Sequence, residues 1–66
     1  MNLRQYFKDE PYGAKKEMAD HLGITLTWLG ILMNKKRRPS PELAKRIEKA
    51  TQGLVTAKEL RPDIFN

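Results

Sequence analysis

KKEMADHLGITLTWLGILMN, residues Lys15 to Asn34, is the stretch whose reading decides the fold. Two short helical patterns meet in it at Gly23, with Ala19 four residues before the glycine and Ile24, Leu29 and Leu32 spaced after it. That is helix-turn-helix spacing. A second helix crossing the first at a steep angle needs a small residue at the crossing, which is Ala19. The turn needs a backbone with positive φ, which is Gly23. Met18, Leu22, Ile24, Leu29 and Leu32 then fill the wedge between the two helices.

Upstream of this unit, Leu3, Tyr6 and Phe7 recur at i, i+3 and i+4 behind Asn2, a good N-cap, and predict a short first helix from about Leu3 to Asp9. Glu10-Pro11-Tyr12-Gly13 breaks it. A second helix is expected from about Ala14 to Leu22, with Met18, Ala19 and Leu22 inward and Lys16, Glu17, Asp20 and His21 outward. Thr25 caps a third, which continues to about Asn34.

Downstream, Ser40-Pro41-Glu42 opens a fourth helix with an N-cap, a proline at the first helical position and an acid near the positive dipole end. Leu43, Ala44, Ile47 and Ala50 form its inner stripe, Lys45, Arg46, Glu48 and Lys49 face water, and it should end near Thr51 with Gly53 as the stop. Thr56-Ala57-Lys58-Glu59 has capping-box spacing and predicts a last helical turn to about Leu60, closed by Arg61-Pro62. Val55, Leu60, Ile64 and Phe65 either fold back onto the first helix or meet the same residues of a second subunit. The expected architecture is all-α: a compact helix-turn-helix domain of four to five helices, single over residues 1–66, with the tail 54–66 available for dimer contact.

Sixty-six residues leave room for one core near the lower limit of autonomous folding, which a dimer would help. Without cysteine there is no disulfide framework, thiolate metal site or thiol nucleophile, in keeping with a reducing cytoplasm. The longest apolar run, Trp28 to Met33, is six residues, far short of the roughly 20 that span a membrane. One histidine, no convergent acid pair and no glycine-rich phosphate loop leave an enzyme without ingredients, and no cofactor or metal is expected.

The net charge of +5 is unevenly placed. Residues 1–34 carry four basic and four acidic side chains, residues 35–49 seven and two, and residues 50–66 two and two, so the whole excess lies between Lys35 and Lys49. A cation cluster directly after a helix-turn-helix is where DNA phosphate contacts belong, and Lys35, Lys36, Arg37 and Arg38 are the candidates. Lys15 and Lys16 oppose the dipole at the start of the second helix. A phosphate approaching that end would give them a use.

With Ile24, Leu29 and Leu32 inward, helical periodicity turns Leu26, Thr27, Gly30 and Ile31 outward and leaves Trp28 at the edge. This face has no arginine, glutamine or asparagine for bidentate base recognition. Thr27 can reach a base edge, and Leu26 and Ile31 can touch thymine methyls. The alternative is that Leu26, Trp28 and Ile31 form a patch for a protein partner, a toxin for instance, or for a second subunit. Gly30 would let the backbone come close to DNA.

Together these residues resemble the small phage Cro and repressor type of helix-turn-helix regulators, including the YdaS-like proteins. The resemblance rests on Ala19, on Leu22-Gly23-Ile24-Thr25, on Asn34 followed by Lys36-Arg37-Arg38-Pro39, on the run from Ser40 to Thr51, and on Val55-Thr56 with Leu60-Arg61-Pro62-Asp63. It implies a prophage or plasmid repressor that binds operator DNA as a homodimer. Carried over by position, it implies base contacts at Thr25, Leu26, Thr27 and Ile31, and backbone contacts at Lys15, Trp28, Asn34, Lys36 and Arg38.

Overall fold

In the computed structural model, which describes residues 1–65 apart from the side chain of Tyr12, five helices follow one another: α1 (Leu3–Tyr6), α2 (Tyr12–Leu22), α3 (Leu26–Met33), α4 (Pro41–Ala50) and α5 (Ala57–Leu60). The domain is all-helical, as expected. α2 packs on α3 and α4, α1 on α3, and α5 on α4. Leu3, Phe7, Ala19, Leu22, Leu29, Leu32, Ile47 and Val55 form the core, with Met18, Ile24 and Trp28 packed at its edge.

The decisive turn forms as its residues require. Gly23 adopts φ 74°, its N–H bonds the Asp20 carbonyl at 3.2 Å and the Ile24 N–H reaches back to Ala19 at 3.0 Å. This paired closure satisfies two carbonyls that the end of α2 would otherwise leave without partners. Ala19 is buried to 1% exposure, so its single methyl is what allows α3 to cross there.

α1 is shorter than expected, ending at Tyr6 rather than near Asp9. Asn2 and Gln5 make a complete capping box. Phe7 then leaves the helical path and is buried, its ring edge-on to Tyr6 with centroids 5.0 Å apart. The bonds that follow, from Lys8 to Gln5 and from Glu10 to Phe7, are tight turns that deliver the chain to Pro11. α2 in turn begins two residues early, at Tyr12, and takes Gly13 into its first turn. Pro11 stands at the N-cap with φ −59° and no side-chain cap, so its fixed φ, read as a breaker, serves as a launch point instead.

α4 runs from Pro41 to Ala50 with the Ser40 hydroxyl accepting the Leu43 N–H at 3.1 Å. Glu48 departs from its expected water-facing place: it is half-buried and its carboxylate accepts the Ala57 N–H at 2.6 Å, capping α5 from outside. The Thr56 hydroxyl adds the local cap by accepting the Glu59 N–H at 3.1 Å. Glu59 does not complete the box, because its Oε1 accepts from the Met1 amine at 3.0 Å, and that amine also reaches the Leu54 carbonyl. The tail therefore divides. Val55 is in the core, Leu60 packs against it, and Ile64 stays exposed.

Thr51 joins the two halves of this C-terminal region. It is the one buried polar side chain among the described residues. Its hydroxyl donates to the Ile47 carbonyl at 2.9 Å and accepts the Val55 N–H at 3.1 Å. Thr51→Val keeps the shape but strands the buried Val55 N–H, which costs about 1–3 kcal/mol. Thermal unfolding should show Tm lowered by roughly 4–8 °C per kcal/mol, with most of the loss recovered in Thr51→Ser. A Val variant as stable as the parent would contradict this bonding.

Candidate nucleic-acid interface

α3 is positioned by Leu29 and Leu32, both buried, and everything else on it follows from their direction. Leu26 and Thr27 are exposed and Gly30 and Ile31 half-exposed, so the four residues expected to face outward do so. A Cβ added at Gly30 would meet nothing within 4 Å, so internal packing does not call for a glycine there. Thr25 is exposed too, and its hydroxyl accepts the Trp28 N–H at 3.0 Å. That bond starts α3 and leaves the hydroxyl hydrogen as the atom Thr25 can offer. Trp28 is half-buried against the core edge.

At the far end of α3, Asn34 is exposed and Lys35 turns the chain with φ 59°. The hydrogen-bond pair that closes α2 is repeated here, from Lys35 to Leu32 and from Lys36 to Ile31, each 3.2 Å. The left-handed place that Gly23 fills in the first turn is filled in the second by a lysine. Such a residue stores of order 1 kcal/mol that a glycine would not. Lys35, Lys36, Arg37 and Arg38 are all exposed.

The four cations are not equivalent. Arg38 Nη1 lies 3.3 Å from Asp63 Oδ1, whereas Lys35, Lys36 and Arg37 form no ion pair among the described residues. Asp63 is itself gripped by Arg61 through two bonds of 3.1 and 2.8 Å, and the same guanidinium donates to the Pro39 carbonyl at 3.0 Å. The tail thus holds the end of the basic loop in place. The hydrogen bonds from Arg61 pull the Asp63 carboxyl down from its ordinary 3.8 to about 2, and the Asp63 carboxylate raises Arg61 in return.

Lys15 and Lys16 lie in α2, half-buried and exposed respectively. Lys15 and Asn34, far apart in sequence, are brought to one groove of about 690 Å³ along the flank of α3, beside Leu26, Gly30 and Met33. Arg4 and Lys8 border the same groove; the charge tally by segment concealed them, because residues 1–34 are neutral in sum. No group of three or more potential metal ligands is found among the described residues, and none of their helices is long and apolar enough to cross a membrane.

A family model described as "Bacterial toxin YdaS" matches residues 8–66. A prophage transcriptional regulatory protein of Escherichia coli (strain K12) is 39% identical over 63 residues, covering 96% of this chain and 96% of that protein.

The Asp63 clasp has a pH signature. Because its folded pKa lies below the ordinary value, the contact is intact above about pH 4 and is lost as pH falls through 2. Carboxyl NMR should give Asp63 a midpoint near 2, moving back toward 3.8 in Arg61→Gln. A parent midpoint near 3.8 would mean that Arg61 does not hold it.

Proposed function

The chain belongs to the bacterial toxin YdaS family, and from that premise we propose that it is a sequence-specific, double-stranded DNA-binding transcriptional regulator of the Cro-like repressor kind. In this reading α3 enters the major groove and the Lys35–Arg38 loop lies on phosphates. Thr25, Leu26, Thr27 and Ile31 meet base edges; Lys15, Lys16, Trp28 and Asn34 add backbone contacts. Two copies in a homodimer place their α3 helices in successive grooves about 34 Å apart.

One observation carries this reading: α3 ends on a lysine in the left-handed region, at the head of a run of cations and beside a helix face that its own chain leaves open. Gln52 closes α4 in the same left-handed way, so it is the run of cations beside the open face of α3 that sets this closure apart. The 39% identical relative, a prophage transcriptional regulatory protein, supports the same conclusion.

A second reading draws on Leu26, the exposed large apolar residue of α3 at 39%, and on the family's description as a toxin. Here the helix grips a partner protein, as in an antitoxin pair. Trp28 discriminates between the two: fluorescence that changes with a protein partner but never with duplex DNA favours this second reading.

Selection of bound fragments from random DNA, followed by anisotropy titrations, tests the first reading. Lys36→Ala should weaken binding to every duplex alike and reduce the salt slope by roughly 0.9, the value of one phosphate contact. Ile31→Ala should instead shift the preferred sequence. Affinity of the parent that ignores both salt and sequence would defeat the proposal.

Lys35→Gly separates binding from folding. Relief of the left-handed lysine should stabilise the domain by up to about 1 kcal/mol, while loss of its ammonium weakens DNA binding and lowers the salt slope. A variant that is more stable yet binds as tightly as the parent would remove Lys35 from the interface.

A further inference from the structure

Several charged side chains of the first 22 residues line two different surfaces, acids on one and bases on the other. Glu10 and Glu17 border the surface around Tyr6, Met18 and His21. Arg4, Lys8 and Lys15 border the groove beside Leu26 and Gly30, and no Asp or Glu lines that groove among the described residues. None of the three cations forms an ion pair there. Three like charges on one wall repel one another, and no ion pair among the described residues offsets them.

The wall is also fixed. Phe7 and Leu29 are buried at the floor of the groove, which ties α1 against α3. Gln5 and Asn34 add side-chain amides, and the Gln5 carbonyl oxygen already accepts the Asn2 N–H at 3.0 Å, so its amide hydrogens are what it offers outward. Of the larger apolar residues there, only Leu26 is exposed. The accessible lining is mostly apolar, and Arg4, Lys8 and Lys15 with the two amides set donors and cations around it. Three cations with no carboxylate among the lining residues suit a run of phosphates.

We propose that Arg4, Lys8 and Lys15 form a second phosphate rail, which grips the sugar-phosphate strand on the flank of α3 that carries Leu26, Gly30 and Met33. This rests on the DNA-binding reading and extends it. A helix in a major groove about 12 Å wide has a phosphate strand on each side. The Lys35–Arg38 loop, at the C-terminal end of α3, serves one strand, and the wall built by α1 and the start of α2 serves the other. The unbalanced charge on that wall then has its counter-ion, and α1, which makes no base contact, has a binding role.

The test is the salt dependence of binding to one selected duplex and one random duplex, measured by anisotropy for the parent, Lys36→Ala, Arg4→Gln/Lys8→Gln and the charge-preserving Arg4→Lys/Lys8→Arg. Circular dichroism and Tm check that each variant is folded. The Gln pair should flatten the log–log salt slope by roughly 1.8, or 0.9 for each lost contact, and weaken both duplexes alike. The charge-preserving pair should keep the parent slope. A Gln pair with the parent slope, alongside a Lys36→Ala that lowers it, overturns the rail and leaves the DNA reading standing. A parent with no salt dependence overturns both. A polyglutamate peptide whose binding the Gln pair abolishes while the duplex slope is unchanged overturns the rail in favour of an acidic protein partner.

Discussion

The bond from the Ile24 N–H to the Ala19 carbonyl, 3.0 Å long across a left-handed Gly23, is the constraint from which the rest of the molecule takes its geometry. It fixes the angle at which the chain leaves α2, and the buried Ala19 lets α3 cross there. Leu29 and Leu32 then turn inward, and the opposite face of α3 is left to solvent. The same hydrogen-bond pattern closes α3 at Lys35 and α4 at Gln52, with φ of 59° and 56°. Only the first of these three closures has its glycine in the left-handed place. The two others put long polar side chains where glycine is easier, so their strain must be offset by the packing of their surroundings or by what those side chains bind.

How much of this could be read from the chain depended on how local each cause was. The start of α4 was readable because Ser40, Pro41 and Glu42 act within one turn, and Gly23 was readable because its φ is a property of one residue. The start of α2 was not, since Pro11 and Gly13 read as breakers while Pro11 in fact supplies the φ at which the helix begins. Glu48 sat on what periodicity calls the wet face. Its partner, the Ala57 N–H, lies nine residues on and reaches it only after the chain has turned at Gln52 and Gly53.

The candidate site divides in the same way. The outward direction of Leu26, Thr27, Gly30 and Ile31 follows from periodicity once the inner stripe is known. The Asp63–Arg38 pair does not, because it needs the tail to return to the loop before α4. Nor could the segment tally of charge reveal the wall of Arg4, Lys8 and Lys15: Glu10 and Glu17, which help cancel them along the sequence, line a different surface.

The tail carries an acid into a basic region, and its placement argues for tuning rather than simple accumulation of charge. Asp63 meets Arg38 alone of the four loop cations, and Arg61 holds it there by hydrogen bonds that keep it ionised. A phosphate approaching Arg38 therefore competes with a carboxylate already in position, whereas one approaching Lys35, Lys36 or Arg37 displaces only water and counter-ions. On the proposed reading, the net gain from Arg38 would be smaller than its charge suggests. Its guanidinium is nonetheless held beside the loop rather than left to sample solvent, so part of the ordering entropy of binding has already been lost on folding. In the proposed DNA complex the C-terminal segment would thus set both the shape and the strength of the grip, although it lies outside the helix pair that presents α3.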